Sequence, residues 1–180
     1  SKQHPELSID MVLMLNGLPI ITMELKNDLS CQTVADAIHQ YPTDRDPKEL
    51  LLPKKRCAVH FAVDDNEVIM CIALNGEASW FLPFNKGVDD GAGNPVNPNG
   101  LKTAYLWEEI LQKASLSDIL ENFAQVVKEK DEDTGKTKEN VIWPRYHQLE
   151  CTRALLADTR VSENGRRYLI QHSAGSGKSN

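Results

Sequence analysis

Asp10, Glu24 and Lys26 are the residues of this chain whose types and spacing can do chemistry together. Two carboxylates are hard oxygen ligands of the kind that hold Mg²⁺, an ion that keeps several waters and bridges to phosphate oxygens. A lysine beside such an ion orients the attacking water, favours its deprotonation and offsets charge building on the phosphate. The set suits a metal-dependent phosphodiesterase. The competing reading is a cross-strand carboxylate and lysine pair on a solvated sheet face, and a Glu-x-Lys triplet of such common residues does not decide between them.

For these side chains to meet, the segments carrying them must pair in one register. SIDMVLML (8–15) and LPIITMELK (18–26) are rich in strand-forming residues and flank Asn16-Gly17, a hairpin signal. Successive side chains on a strand alternate faces. Ile9, Met11, Leu13 and Leu15 then share one face, with Asp10, Val12 and Met14 on the other; on the return strand Pro19, Ile21, Met23 and Leu25 oppose Ile20, Thr22, Glu24 and Lys26. The odd positions make a core face and the even ones gather Asp10, Glu24 and Lys26. Matching the faces needs partner numbers with an even sum, whereas a two-residue turn at Asn16-Gly17 gives an odd sum of 33. A three-residue loop is expected, with Gly17 left-handed in a G1 bulge.

Further along, TVADAIHQY (33–41) has helical spacing and is expected to stop at Pro42. RCAVHFAV (56–63), EVIMCIAL (67–74) and EASWFL (77–82) read as an antiparallel meander. Residues 85–100, dense in Gly, Pro, Asn and Asp, are a long loop, either a contact element or a mobile excursion. Helices are expected over 103–113 and 116–130, the second with Leu116, Ile119, Leu120, Phe123 and Val127 at core spacing. The polar run 131–140 reads as a linker, followed by a helix over 145–158 and a buried strand over 166–171.

That strand runs into AGSGKS (174–179), which reads as a phosphate loop: backbone amides around Gly175 and Gly177 cradle phosphates, Lys178 reaches the β- and γ-phosphates, and Ser179 ligates Mg²⁺. His172 stands where the stricter form of the motif has Gly. Lys54, Lys55 and Arg56 form one basic cluster, read either as a solvated flank or as a phosphate contact beside the carboxylates.

Composition narrows the classes. An apolar share of 41%, a charged share of 26% and no long apolar run describe a globular chain without a membrane span. The opening residues carry no secretory signal. Cys31, Cys57, Cys71 and Cys151 show no C-x-x-C spacing, which argues against a zinc cluster and a disulfide framework, and a reducing cytoplasm is the simplest setting. A net charge of -6 gives no global attraction for nucleic acid, so contact with DNA has to come from a local basic site or a metal ion.

The stretches PELSIDMVLMLNGLPIITMELKN, QTVADAIHQYPTDRDPKELLLPKKRCAVHFAVDDNEV, WFLPFNKG, and WPRYHQ through LIQHSAGSGKSN resemble, in order, the restriction (R, motor) subunit of type I restriction-modification enzymes. The resemblance implies an α/β chain: a PD-(D/E)xK, restriction endonuclease-like core with a mixed sheet and flanking helices over 1–130, a linker over 131–140, and the truncated start of a RecA-like helicase domain over 141–180. It implies a Mg²⁺-dependent endonuclease cutting double-stranded DNA, in which Asp10 and Glu24 hold the metal, the Leu25 carbonyl is a further ligand and Lys26 stands at the water. Gln148 resembles the glutamine of the helicase Q motif, which reads the adenine of ATP. Gln40 and Tyr41 are accessory candidates, although Ala37 stands where the related Gln-x-x-x-Tyr motif has glutamine. ATP with Mg²⁺ would serve the full-length protein, and separate specificity and methyltransferase subunits would be its partners. This piece, ending at the phosphate loop, is expected neither to hydrolyse ATP nor to translocate. The alternatives are a nuclease fold kept as a non-catalytic interaction module of a DNA motor, and an ATP-binding protein whose nuclease-like part is secondary.

Overall fold

The computed structural model describes residues 8–46, 48–88, 92–130, 135, 137–162 and 166–172. The chain divides into two compact units, Ser1–Trp143 and Pro144–Asn180.

Strands β1 (Met11–Leu15) and β2 (Leu18–Leu25) form the hairpin. Asn16 and Gly17 both have positive φ, 50° and 80°, the pairing that a two-residue type I′ turn requires and that these residue types tolerate. The expected three-residue loop does not form. At the tip Leu15 faces Leu18 and Met14 faces Pro19; the register then shifts, so that Leu13 faces Ile21, Val12 faces Thr22 and Met11 faces Met23. Ile20 is the extra residue, and a bulge within β2 supplies the even register that the loop was expected to supply. It follows Pro19, which has no N–H to give to the ladder.

Strands β3 (Val59–Val63), β4 (Val68–Cys71) and β5 (Phe81–Pro83) complete a sheet of order β1-β2-β3-β4-β5. β2 and β3 are parallel and every other pair is antiparallel, which gives a mixed sheet. A parallel pair needs a crossover, and helix α1 (Val34–Asp44) lies in it. The start of α1 is fixed twice. Asp36 Oδ2 accepts from Thr33 N at 2.7 Å, and Asp64 Oδ2, reaching from the end of β3, accepts from Val34 N at 2.7 Å. These carboxylates satisfy amides that a helix start leaves without partners. Pro42 does not stop the helix, which runs on to Asp44. In the last turn the proline forfeits one amide bond, and the Thr43 hydroxyl donates to the His39 carbonyl at 2.8 Å.

α1 lays Val34, Ala37 and Tyr41 on one face of the sheet, in a cluster with Leu52, Ala62, Cys71 and Leu74. The even positions of β2 are therefore buried and not solvated: Thr22 and Glu24 have no exposed surface. The opposite face is also covered along β2, β3 and β4, with Ile21, Met23, Val59, Phe61, Val63, Val68 and Met70 buried, while Met11 and Leu15 of β1 and Leu25 at the end of β2 stay exposed. There the Phe61 ring stands edge-on to Phe84 at 5.4 Å and to Trp143 at 6.3 Å. Cover on both faces is what a sheet with a parallel pair demands.

Residues after β5 depart from expectation in two places. Leu106–Ile110 forms a π-helical turn, and α2 (Lys113–Asp118) widens into a second one at Ile119–Phe123. Each closes through an i to i+5 bond, Leu111 N to Leu106 O at 2.8 Å and Ala124 N to Ile119 O at 2.7 Å. The helix expected to reach residue 130 thus ends at Phe123, because Gln125–Lys130 is strand β6, antiparallel to β7 (Thr137–Ile142). Val126 and Val127 are β-branched and prefer the strand once a partner is beside them. The hairpin takes in residues 137–140 of the stretch read as a linker. Of the stretch read as a loop, residues 85–88 and 92–100 are described, and they are tied down: buried Asn94 accepts from Lys86 N at 2.8 Å and donates to Asn66 O, in the β3–β4 turn, and to Asn85 Oδ1, each at 2.9 Å.

In the second unit α3 (Tyr146–Val161) forms as expected. Residues 166–172 form no strand among the described residues, with Leu169 92% exposed, so the expected buried strand is not formed. A strand needs a neighbouring ladder for its N–H and C=O groups. Side chains hold this segment instead: Asp158 accepts from Arg166 Nη1 at 2.7 and 2.9 Å and from the Tyr168 hydroxyl at 2.8 Å.

Candidate active site

The restored register decides the site. Asp10 lies one residue beyond the Met11–Met23 pair, opposite the end of β2, and its Oδ2 accepts the Leu25 N–H at 2.8 Å. Glu24, wholly buried, points to the α1 side of the sheet, where its Oε1 accepts from Arg45 Nε at 2.7 Å. Its Oε2 is buried and has no partner. Burial pushes the Glu24 carboxyl above its ordinary pKa; the Arg45 guanidinium opposes this, and Asp10 adds to it by its charge and by a carboxyl contact. Two ionised carboxylates cannot bond each other, so a proton or a cation between them is what satisfies the pair.

The Leu25 N–H is directed to Asp10, whereas the Lys26 N–H goes to the Val63 carbonyl at 2.8 Å on the other edge of β2. A strand residue presents its N–H and C=O to the same edge, which puts the Leu25 carbonyl on the Asp10 side. Asp10, Glu24 and Leu25 are therefore brought together. Lys26, half-buried, follows two positions after Glu24 on the same strand. Its charge reaches the start of α1, where it helps hold Asp36 below the ordinary carboxylate range after the hydrogen bonds from Thr33. Ile9 lies outside the strand and packs on the α1 side, not on the odd face.

Of the accessory candidates, Tyr41 is part of a buried chain of hydroxyls. Its hydroxyl donates to the Phe61 carbonyl at 3.1 Å and lies 3.0 Å from Thr22 Oγ1, which lies 2.6 Å from His60 Nδ1. Since the Tyr41 proton is committed to Phe61, Thr22 donates to Tyr41 and accepts from His60 Nδ1–H, which assigns the His60 tautomer. Burial raises the Tyr41 pKa beyond any working range and lowers that of His60 to about 4. Tyr41 is thus an anchor between α1 and the sheet. Gln40 keeps Oε1 buried without a partner.

Sequence reasoning missed Arg45 and Thr22. Arg45 continues the Val34, Ala37, Tyr41 stripe by one further turn, and that spacing is the signal that could have found it. The Lys54–Arg56 cluster precedes β3, at the end of the parallel ladder away from Glu24, and Lys55 is paired with Glu139. It does not stand beside the carboxylates. Gly175, Gly177, Lys178 and Ser179 lie outside the described residues. Gln148 Oε1 accepts from Arg145 N at 3.0 Å and so closes the first turn of α3.

The donors fit a divalent cation. Glu24 Oε2 is an acceptor buried without a partner, Asp10 is beside it, and Mg²⁺ takes one or two carboxylates while keeping its waters. Among the described residues no group of three or more His, Cys, Asp or Glu side chains gathers to hold a metal, so the available set is the two carboxylates and a main-chain oxygen.

Residues 2–87 match the family described as type I restriction enzyme R protein N terminus. The match includes β1 to β5, α1, Asp10, Glu24, Lys26 and Arg45. The chain is also 29% identical, over 177 residues and 94% of its length, to a Methanocaldococcus jannaschii protein that carries the provisional name type I restriction enzyme MjaVIIIP endonuclease subunit. The chain spans 15% of that relative's length. No solved structure matches. Among the described residues no helix is long and apolar enough to cross a membrane.

Proposed function

We propose that the first unit is the nuclease part of a type I restriction subunit, a PD-(D/E)xK core that cuts double-stranded DNA with Mg²⁺ at Asp10 and Glu24. The observation that carries this reading is the buried, unpartnered Glu24 Oε2 set beside Asp10 by the bulge at Ile20. Asp10, Glu24 and the Leu25 carbonyl would hold the ion, which when bound supplies Lewis acidity and a more acidic water. Lys26 orients the attacking water and offsets charge on the scissile phosphate. Asp10 is at the exposed rim and Glu24 at the buried floor of the site, so phosphate approaches from the Asp10 side. In the whole subunit Gln148, Gly175, Gly177, Lys178 and Ser179 would hold ATP with Mg²⁺ for translocation, and specificity and methyltransferase subunits would select the DNA.

Mn²⁺ calorimetry on this chain tests the metal site, with circular dichroism to show that each variant is folded. The wild type is expected to bind, and Asp10→Asn and Glu24→Gln to weaken binding at least about tenfold, the loss of one charged contact. A folded wild type that takes up no Mn²⁺ would overturn the reading. A second reading, a nuclease fold kept as a docking module, draws on Arg45, which already supplies a positive charge to Glu24. Cleavage by the intact subunit, lost in Lys26→Ala with Mn²⁺ uptake unchanged, would exclude it.

A further inference from the structure

Arg45 is the first residue after α1, with extended backbone at φ −116° and ψ 113°. That conformation turns the side chain inward: it is 5% exposed, although arginine is almost never buried unless paired. Two contacts hold its planar fork. Nε donates to Glu24 Oε1 at 2.7 Å, and Nη2 donates to the Ser8 carbonyl at 2.6 Å. Ser8 is two residues before Asp10, in the segment that precedes β1 and has no strand ladder of its own. One guanidinium therefore ties the strand that carries Glu24 to the segment that carries Asp10.

We propose that Arg45 is a positioning residue of this site: by engaging Glu24 Oε1 and the Ser8 carbonyl, it leaves Glu24 Oε2 turned to the divalent cation and fixes Asp10 beside it. The inference rests on the metal reading above. A lysine cannot do the same, since a point ammonium lacks the fork that reaches two acceptors in fixed geometry.

The test is Mn²⁺ calorimetry at pH 7 on the whole 180-residue chain and its Arg45→Gln and Arg45→Lys variants, each also in the Glu24→Gln background, with circular dichroism on each. Arg45→Gln is expected to lower affinity at least about tenfold in the wild-type background, and much less once Glu24→Gln has removed the ligand that Arg45 orients. A merely structural lesion adds the same loss in both backgrounds. Arg45→Lys keeps the charge and loses the fork, so its affinity is expected to fall as well; it also carries the test if Arg45→Gln fails to fold. If the wild type binds and the folded Arg45 variants bind equally well, or lose as much in the Glu24→Gln background, Arg45 has no positioning role and the metal site stands without it. If the wild type itself takes up no Mn²⁺, the metal reading fails and this inference with it.

Discussion

Replacing Thr22 by valine probes whether the face of β2 next to Glu24 is held by the proton chain from His60 through Thr22 and Tyr41 to Phe61. Valine keeps the shape and removes the hydroxyl that joins His60 Nδ1 at 2.6 Å to the Tyr41 hydroxyl at 3.0 Å. His60 Nδ1–H is then buried without an acceptor, at about 1–3 kcal/mol, and the lost Thr22–Tyr41 bond adds about 0.5–1.5 kcal/mol. Tyr41 keeps its bond to the Phe61 carbonyl, and the added methyl returns roughly 0.8 kcal/mol of burial. The net expectation is a loss of about 1–4 kcal/mol, or about 2–16 °C in Tm for a chain of this size. Urea unfolding followed by the fluorescence of Trp143, which packs on Phe61, measures it at constant m-value. Tyr41→Phe alone and the double variant complete a cycle, with coupling of about 0.5–1.5 kcal/mol. A loss under about 0.5 kcal/mol, the range of surface changes, or no coupling, would refute the assignment of donors along the chain.

His60 also sets an acid limit. Burial lowers it from 6.5 to about 4, so the unfolded chain takes up the proton first. Stability from this group is full above about pH 6.5 and falls as pH drops toward 4, by about 3 kcal/mol in all. Glu24, raised by burial, acts in the opposite sense, so urea midpoints at pH 7 and 4.5 in the wild type and His60→Gln isolate the histidine share, which the variant should lack. Asn94→Ala removes three hydrogen bonds of the 85–100 loop. Amide exchange at Lys86 and Gly87 should rise about 10–100-fold, matching a local cost of roughly 1–3 kcal/mol, while β3 amides keep their protection; unchanged exchange at the loop would show that Asn94 is not what holds it.

Much of this protein can be read along the chain because the physics involved is local. The hairpin at Asn16-Gly17 follows from residues that tolerate positive φ, α1 from its apolar spacing, and the β3–β4–β5 meander from β-rich runs broken by turn residues. The need for an even register, and with it the meeting of Asp10 and Glu24, follows from side-chain alternation alone. How that register arises does not. A two-residue turn with a bulge at Ile20 and a three-residue loop give the same facing pairs, and only the paired strands distinguish them. Strand or helix over 125–130 depended on whether β7 lay beside it, because β propensity is realised only against a neighbour. The state of Glu24 was decided last. The sequence places it on a face with Lys26, whereas the fold lays α1 over that face, removes water from the carboxylate and brings Arg45 to it from 21 positions away. Burial and electrostatic partnership belong to packing between distant segments, and no local pattern carries them.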